Sequence, residues 1–563
     1  MHPGDQPRAA RAEAAQLETT APLSGQLPSP ASPNGDGHAG EPAQPVSRPL
    51  MGRRWAALAW TIGGVALFVL LLRIALSLGV ASDVANNELQ AWDMLHGHLL
   101  LHGWILGDAT YYTFELPLLA IVEVFFGVHA VSAHVALALV YLIVAVFGIA
   151  IAVKDSSGFS RAARAAVVVA VLAAPVLVNA DIWIPLGLPD HTGTTVFLLG
   201  AALLIDRLPD RRFTAPLLCL ILVAGQISDV TVRYIVVPAI VLVCAYRMLA
   251  ARKIMTGDAA NLLAAAVSFP LATWVRELMR HYGSYLMRTP QTKMAPVSQW
   301  QHNAWLTWHA IRELFGALAG SAAPIGTAAI FGYVCLLAVA VGVVMALWRW
   351  RSSRRADQVL VTAIVANLVV YTISTIPSPK TPHDLVTVLV CGAVLAARAL
   401  VPARFASRVP ALAVCGVAMV AALVPLSVVA SNPAPRTPWA PLTSWLSAHG
   451  LKNGLGGYWD GSAVTVLSGN GVTVRTVQVV TGLKDGRKEL TLFSWETNTL
   501  WFDPAKNYAN FIVINVVPRD RDFGAEKILG KPASTYRVGE WEVLVYNKNL
   551  LRELSPPRVR KFA

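Results

Sequence analysis

Between Ser82 and Glu115 the chain carries Asp83, Glu88, Asp93, Asp108 and Glu115, and not one Lys or Arg. Strongly apolar sequence precedes this stretch. A carboxylate placed where such a run ends is costly unless water or a partner receives it, so carboxylates of this kind are functional candidates by default. Asp83 is the foremost candidate for a base, because a carboxylate beside a hydroxyl can take its proton. Ser82 or Asp83 would also make a good cap for a helix starting here, and the two roles do not exclude each other. Asp83, Asn86, Asn87, Gln90 and Asp93 recur at helical spacing, with Ala85, Leu89, Trp92 and Leu99 on another face. That pattern predicts an amphipathic surface helix with its polar face towards a cavity.

Three further clusters carry polar chemistry. In Asp181-Ile-Trp-Ile-Pro-Leu-Gly-Leu-Pro-Asp190-His191, Pro185 and Pro189 shape a turn that presents Asp190 and His191. A capped helix start with a surface His reads the same residues structurally. In Gln226-Ile-Ser-Asp229-Val-Thr-Val-Arg233, Asp229 and Arg233 either serve a site or pair with each other. Pro377-Ser-Pro-Lys380-Thr-Pro-His383-Asp384 brings a cation, or is a proline-stiffened turn. Carboxylates, His and cations on one surface suit a reaction in which a hydroxyl is deprotonated while an anionic group departs. The carboxylate supplies the base, and Arg or Lys stabilises developing phosphate charge.

The elements that must position these groups are mostly hydrocarbon-like. The chain has 563 residues, 55% hydrophobic and only 14% charged, whereas about a quarter charged is usual in soluble domains. Apolar runs at roughly 55–80, 131–153, 165–180, 192–206, 215–228, 234–250, 259–275, 326–347, 358–376, 385–400 and 410–430 predict a mainly α, polytopic helix bundle of about 11 spans. The run 115–130 reads as a membrane-adjacent helix or the broken top of a span. Sixteen Lys and Arg, from Lys154 to Arg408, fall in one alternate set of connections. The other short set (81–114, 181–191, 229–233, 377–384) holds only Arg233 and Lys380. By the positive-inside rule the N-terminus is cytoplasmic, and Asp83, Asp190, Asp229 and Lys380 lie outside. The net charge of +13 is thereby topology, not a nucleic-acid surface. The five cysteines all fall in or beside apolar runs and form no metal or disulfide pattern.

Residues 1–50, rich in Pro, Ala, Gly and Ser, predict a disordered cytoplasmic tail, with Met51 an alternative start. Residues 276–325 combine Arg276, Glu277, Arg280 and Lys293 with Trp300, Trp305 and Trp308, which predicts an interfacial helix. From 431 to 563 the character changes. A helix is expected over Leu442–His449, then the turn GLGGYWDG, then β-runs AVTVLSG, VTVRTVQVV, FIVINVVP and WEVLVYN, together a small external α+β domain after the 51–430 membrane domain.

In layout, residues 52–563 resemble the GT-C class of membrane glycosyltransferases, near the protein O-mannosyltransferase and lipid A aminoarabinose transferase families. Those families place an acidic residue just after the first span, as Asp83 stands here, followed by an amphipathic helix. The usual Asp-Glu pair is absent, since Val84 follows Asp83 and Glu88 is displaced. The Arg-Tyr pair of a late external loop is replaced by Lys380 and His383-Asp384. The resemblance implies a polyprenyl-phosphate sugar donor entering from the membrane lipid and a glycan, lipid or protein hydroxyl as acceptor. It implies Asp83 as general base with Glu88 or Asp190 assisting. Arg233 or Lys380 would hold the phosphate, among substrate-binding residues that include His191, Asp229 and His383. Some members use a divalent metal and others do not; no ligand set in this sequence compels one.

Two rival readings account for the spans. A secondary transporter would show an internal repeat and polar groups near the bilayer midplane. No repeat is evident, and the polar groups cluster at one surface. A non-catalytic assembly or sensor protein would bind a partner through the terminal domain.

Overall fold

The structure, a computed structural model, describes residues 50–80, 82–177, 191–208, 212–288, 292–318, 327–405, 407–431, 437–481, 487–516 and 524–556. The expected N-terminal tail and the turn carrying Asp181 and Asp190 lie outside the described residues. Residues Trp60–Ala563 form one compact unit.

Each of the eleven expected apolar runs is a helix. In chain order these are α1 (Leu50–Leu76), α4 (Ala130–Ala152), α5 (Phe159–Leu172), α6 (Thr192–Arg207), α7 (Thr214–Ser228), α8 (Thr231–Ala251), α9 (Thr256–His281), α11 (Thr327–Trp348), α12 (Arg355–Ile373), α13 (Val386–Leu400) and α14 (Arg408–Ser431). Among the described residues seven helices are long and apolar enough to cross a membrane. The 14 residues of α5 and the 16 of α6 reach only about 21–24 Å at 1.5 Å per residue. The chain is a multi-pass membrane protein. Val65, Val69, Ile330, Leu337, Val344, Val417 and Val420 point outward, a surface that suits lipid tails. Inside, α11 and α13 pack closely because Gly342 lies against the backbone of Leu395 and Ala396, where a Cβ would come within 2.5 Å of the Ala396 nitrogen.

Two helices precede and follow the loop of interest: α2 (Ser82–Leu95) and α3 (Glu115–Phe126). The second occupies the 115–130 run. The tryptophan-rich helix is α10 (Trp300–Leu314), whose Trp305 and Trp308 are exposed.

The C-terminal region adds α15 (Ala440–Ala448), α16 (Tyr458–Leu467), α17 (Ala525–Leu529) and most of the strands. The strands are β1 (Trp104–Leu106), β2 (Leu286–Met287), β3 (Asn453–Gly456), β4 (Thr473–Thr481), β5 (Lys488–Leu492), β6 (Thr497–Asn498), β7 (Phe511–Asn515), β8 (Ser534–Val538) and β9 (Trp541–Val545). Six form a mixed sheet in the order β5-β4-β3-β7-β9-β8, parallel at β4-β3-β7 and antiparallel elsewhere. The other three, ordered β2-β1-β6, form a small sheet with one strand from each of three distant parts of the chain. Ile105 pairs with Leu286 on one side and with Thr497 on the other. This sheet ties the loop after α2 to the C-terminal region.

Two expectations are corrected. AVTVLSG is helical, not a strand: Ala463, Val464 and Val466 lie in α16 and are buried. An apolar run buried on every side carries no period that separates helix from strand. The polar face of α2, expected to look towards a cavity, does so at Asp83 but is covered at Asn86, Asn87 and Gln90. Asn86, Asn87, Glu88 and Gln90 are as buried as Val84, Ala85 and Leu89, because α16 covers that face and Ser462 Oγ donates to Asn86 Oδ1 at 2.5 Å.

Candidate active site

The five carboxylates of the opening stretch separate into different jobs. Asp93 holds the loop, accepting from Trp104 Nε1 at 2.8 Å and from His98 Nδ1 at 2.6 Å. Glu88 Oε1 accepts the backbone N–H of Ala133 at 2.7 Å, one of the first-turn donors of α4 that have no helical partner. Burial pushes the Glu88 carboxyl up to about 8, although backbone N–H donors oppose the shift. Glu115 is buried near α7, accepting from Ser228 Oγ at 3.2 Å. Only Asp83 and Asp108 reach the main cavity of the molecule, about 670 Å3 in volume. Glu88 does not line it.

Asp83, at the start of α2, meets two residues of the C-terminal region. Tyr458 Oη, in the first turn of α16, hydrogen bonds to Asp83 Oδ1 and also to Glu496 Oε2 at 3.0 Å. One phenolic hydroxyl therefore sits between two carboxyl groups. Burial and both carboxylates raise the Tyr458 phenol above its ordinary range, so it stays a neutral donor. Asn86 Nδ2 reaches Glu496 Oε2 at 3.4 Å. Glu496 itself has φ 46°, a left-handed conformation that is costly for a residue of its size and clusters at functional sites. The adjoining β6, paired with β1, helps hold it there.

A second group stands at the junction of α6, α7 and α8. His191 precedes α6 in a left-handed conformation. Its Nδ1 donates to Asp229 Oδ2 at 2.7 Å and its Nε2 to Asp384 Oδ1 at 3.0 Å. Both ring nitrogens face carboxylates, which requires the imidazolium form. Burial works against that charge, but Asp229 and Asp384 hold the His191 pKa well above its usual value. Asp229 also takes the Thr231 N–H at 2.8 Å and the Thr194 hydroxyl. Burial opposes its ionisation, yet His191 and these donors keep the carboxyl below its ordinary range. Burial raises Asp108 nearby, with His191 pulling the other way and Asp229 adding to the rise.

The structure thus brings Asp83, His191 and His383 to one cavity, with Asp229 directly behind His191. Asp190 lies outside the described residues. Arg233 does not join them: it lies over the Phe269 ring at 4.3 Å and lines a separate 290 Å3 cavity with Arg276 and Arg280. That cavity shares only the wall residues Val230 and Tyr234 with the larger one. Lys380 is exposed and outside both. Lys293 lines the main cavity instead, placed by the bridge between Met294 and Ser374. Sequence reading passed over Lys293, Tyr458, Glu496 and Asp108 as site residues. Tyr458 and Glu496 lie about four hundred residues from Asp83, and no local pattern announces such a meeting. Among the described residues no group of three His, Cys, Asp or Glu side chains is arranged to hold a metal ion.

Asp83 also lines a second cavity of 460 Å3, with Tyr458, Trp459, Gln478, Trp495 and Asn515. One carboxylate at the meeting of two cavities can act on a hydroxyl delivered from one and a bond delivered from the other.

No model of a protein family matches this sequence, and no protein of curated function matches it. Solved structures do. ArnT from Cupriavidus metallidurans, in the apo state, matches with a TM-score of 0.52 at 14% identity, over 89% of this chain and 100% of ArnT. The same protein bound to undecaprenyl phosphate matches equally. Arabinofuranosyltransferase AftD from Mycobacteria matches with a TM-score of 0.42 at 15% identity, over 88% of this chain and 40% of AftD, too loosely to argue from. The chain shares the fold of ArnT, a GT-C-like helix bundle.

Proposed function

We propose that this protein is a membrane glycosyltransferase that moves a sugar from a polyprenyl-phosphate donor to a hydroxyl acceptor on the outer side of the membrane. The observation that carries this reading is the position of Asp83 on both cavities. The ArnT structure bound to undecaprenyl phosphate supports a lipid phosphate as donor. Val230, Ile235, Val370 and Ile373 give the main cavity apolar walls from the α8 and α12 sides, suited to the first isoprenoid units of such a lipid.

Asp83 takes the proton of the acceptor hydroxyl as its oxygen bonds to the anomeric carbon of the sugar. The bond from that carbon to the phosphate oxygen breaks, and its electron pair leaves with the lipid phosphate. Lys293 stabilises the charge that develops there. Tyr458 and Glu496 orient Asp83, and the phenolic hydroxyl gives its carboxylate a donor that costs no reorganisation. His191, neutralised in part by Asp229 and Asp384, shapes the cavity wall. Arg233 sits behind Tyr234 and does not hold the phosphate in this arrangement. The sixteen basic residues at the far end of the helices support an outer location for the Asp83 end and the C-terminal region.

The test is transfer from a polyprenyl-phosphate-linked sugar by the purified protein in proteoliposomes. The Asp83→Asn variant is expected to lose about 10²–10⁴-fold in rate, the usual worth of a general base. Transfer that survives this change intact removes Asp83 from catalysis. Accumulation of a solute inside the vesicles would favour a transporter.

A further inference from the structure

The second cavity has a composition that the reaction at Asp83 does not itself require. Trp459, 51% exposed, and the half-buried Trp495 and Phe493 offer aromatic faces. Gln478 and Asn515 add side-chain amides, and Arg288 lies 5.3 Å over the Trp495 ring. The floor is made by Val477, Val513 and Ile514.

These residues sit at a particular place in the sheet. Strands β4, β3 and β7 are parallel, and Gln478, Gly457 and Asn515 lie at or beyond the middle of their strands on the carboxyl side. The chain leaves β3 through α16 to reach β4, whereas β7 flanks β3 on the other side. That makes the β3–β7 boundary a switch point, where open α/β sheets form their ligand crevices. The volume of 460 Å3 is within the usual range of small-molecule sites, about 300–1,000 Å3.

We infer that this cavity is the acceptor subsite and takes a neutral glycan chain, whose terminal hydroxyl meets Asp83. The inference rests on the glycosyltransferase reading and names its acceptor class. Aromatic faces present the flat apolar surface that pyranose or furanose C–H faces cover, while amides read hydroxyls. An anionic acceptor fits poorly. Asp460 already stands in the first turn of α16, held by the indole N–H groups of Trp439 at 2.7 Å and Trp541 at 3.1 Å. With Asp83 it outweighs the single Arg288 on this lining.

The experiment uses the full chain in nanodiscs with neutral tri- to pentasaccharides of mannose, glucose, galactose and arabinose as probes. Binding is read by tryptophan fluorescence, and transfer and donor hydrolysis by product analysis. One of these probes is expected to bind. Trp459→Ala and Gln478→Ala are each expected to weaken that binding at least about tenfold, with Trp459→Phe restoring most of it. Asp83→Asn should bind the probe while failing to transfer. Sugar transfer to a lipid or a peptide, with Trp459→Ala indifferent and no oligosaccharide bound, overturns the glycan subsite and leaves the enzyme reading standing. Oligosaccharide binding that depends on Trp459 with no donor turnover in the parent protein overturns the enzyme reading and leaves the glycan site.

Discussion

The same helices carry two polar ends that solve the problem of buried charge in opposite ways. At one end every prominent carboxylate meets a permanent cation. Lys154 pairs with Asp206 at 2.9 Å, Arg398 with Asp357 at 2.9 Å, and Asp258 sits between Arg355 at 2.9 Å and Arg247 at 3.3 Å. Arg164 caps helix ends there, donating to the carbonyls of Ala152 and Val401 at 2.9 Å each. At the other end the carboxylates meet a phenol, a threonine, an amide and an imidazole. Guanidinium partners lock a carboxylate into one charge state. Hydroxyl and imidazole partners leave protons that can be exchanged. The first end fixes its charges, and the second leaves its protons able to move.

Matched substitutions separate the two. Asp83→Asn should abolish most transfer, about 10²–10⁴-fold, with little change in thermal unfolding. Asp258→Asn should do the reverse. Asp258 is fully buried, and losing its charge leaves two guanidiniums facing each other, which costs about 3–5 kcal/mol for a broken buried pair. Its Tm in detergent should fall sharply, while the rate per folded molecule stays near that of the parent. If Asp258→Asn cost activity and Asp83→Asn cost stability, the contrast between the ends would be wrong.

Smaller effects sharpen the chemistry of the second end. His191→Gln removes the cation between Asp229 and Asp384, and transfer should drop about 10–10²-fold. Because those carboxylates hold the His191 pKa well above its usual value, the parent protein should show no limb in its rate profile at the ordinary imidazole range attributable to this group. A limb centred near 6.5 that vanishes in His191→Gln would mean the imidazole is not clamped as described. Tyr458→Phe keeps the ring and removes the hydroxyl shared by Asp83 and Glu496. A drop of about tenfold in kcat with the KM for acceptor nearly constant is expected, since a single oriented hydrogen bond is worth about 0.5–1.5 kcal/mol.

What the sequence disclosed and what it hid follow the same division. Hydrophobic runs and loop charge marked eleven helices and their two ends, because bilayer thickness and charge bias act locally along a chain. Asp83 stood out because a carboxylate after an apolar run is costly, although a helix cap accounts for it as well. His191 and Asp229 were visible as polar residues at helix ends, yet their mutual contact, 38 positions apart, was not. Arg233 looked like a partner for Asp229 four positions back, but the helix turns it away towards Phe269. The role of Lys293 fell to Lys380 in the sequence, since a long loop hides which of its residues folds back. Tyr458 and Glu496 were hidden most deeply. Their meeting with Asp83 depends on the pairing of β1 with β6, Ile105 against Thr497 across 392 positions, a choice made by tertiary packing.

Glu88 belongs to neither end's rule, and its expected effect is the smallest. It is a displaced carboxylate in α2 that serves α4 and lies against another buried acid, Glu123, which burial and Glu88 together push up to about 10. In the folded protein burial pushes the Glu88 carboxyl up to about 8, from an ordinary value of 4.5. Between those values the native state keeps a proton that the unfolded chain has released. Its contribution is therefore fully present below about pH 4.5 and is lost as pH rises through about 8, so stability should fall across this window. Glu88→Gln keeps an acceptor for the Ala133 N–H and removes the titration. The variant should match the parent at pH 5 and exceed it at pH 8.5, by a Tm difference of a few degrees, with transfer per folded molecule unchanged. An equal Tm difference at both pH values would show that Glu88 is already ionised in its pocket. A loss of transfer without loss of Tm would return Glu88 to the reaction.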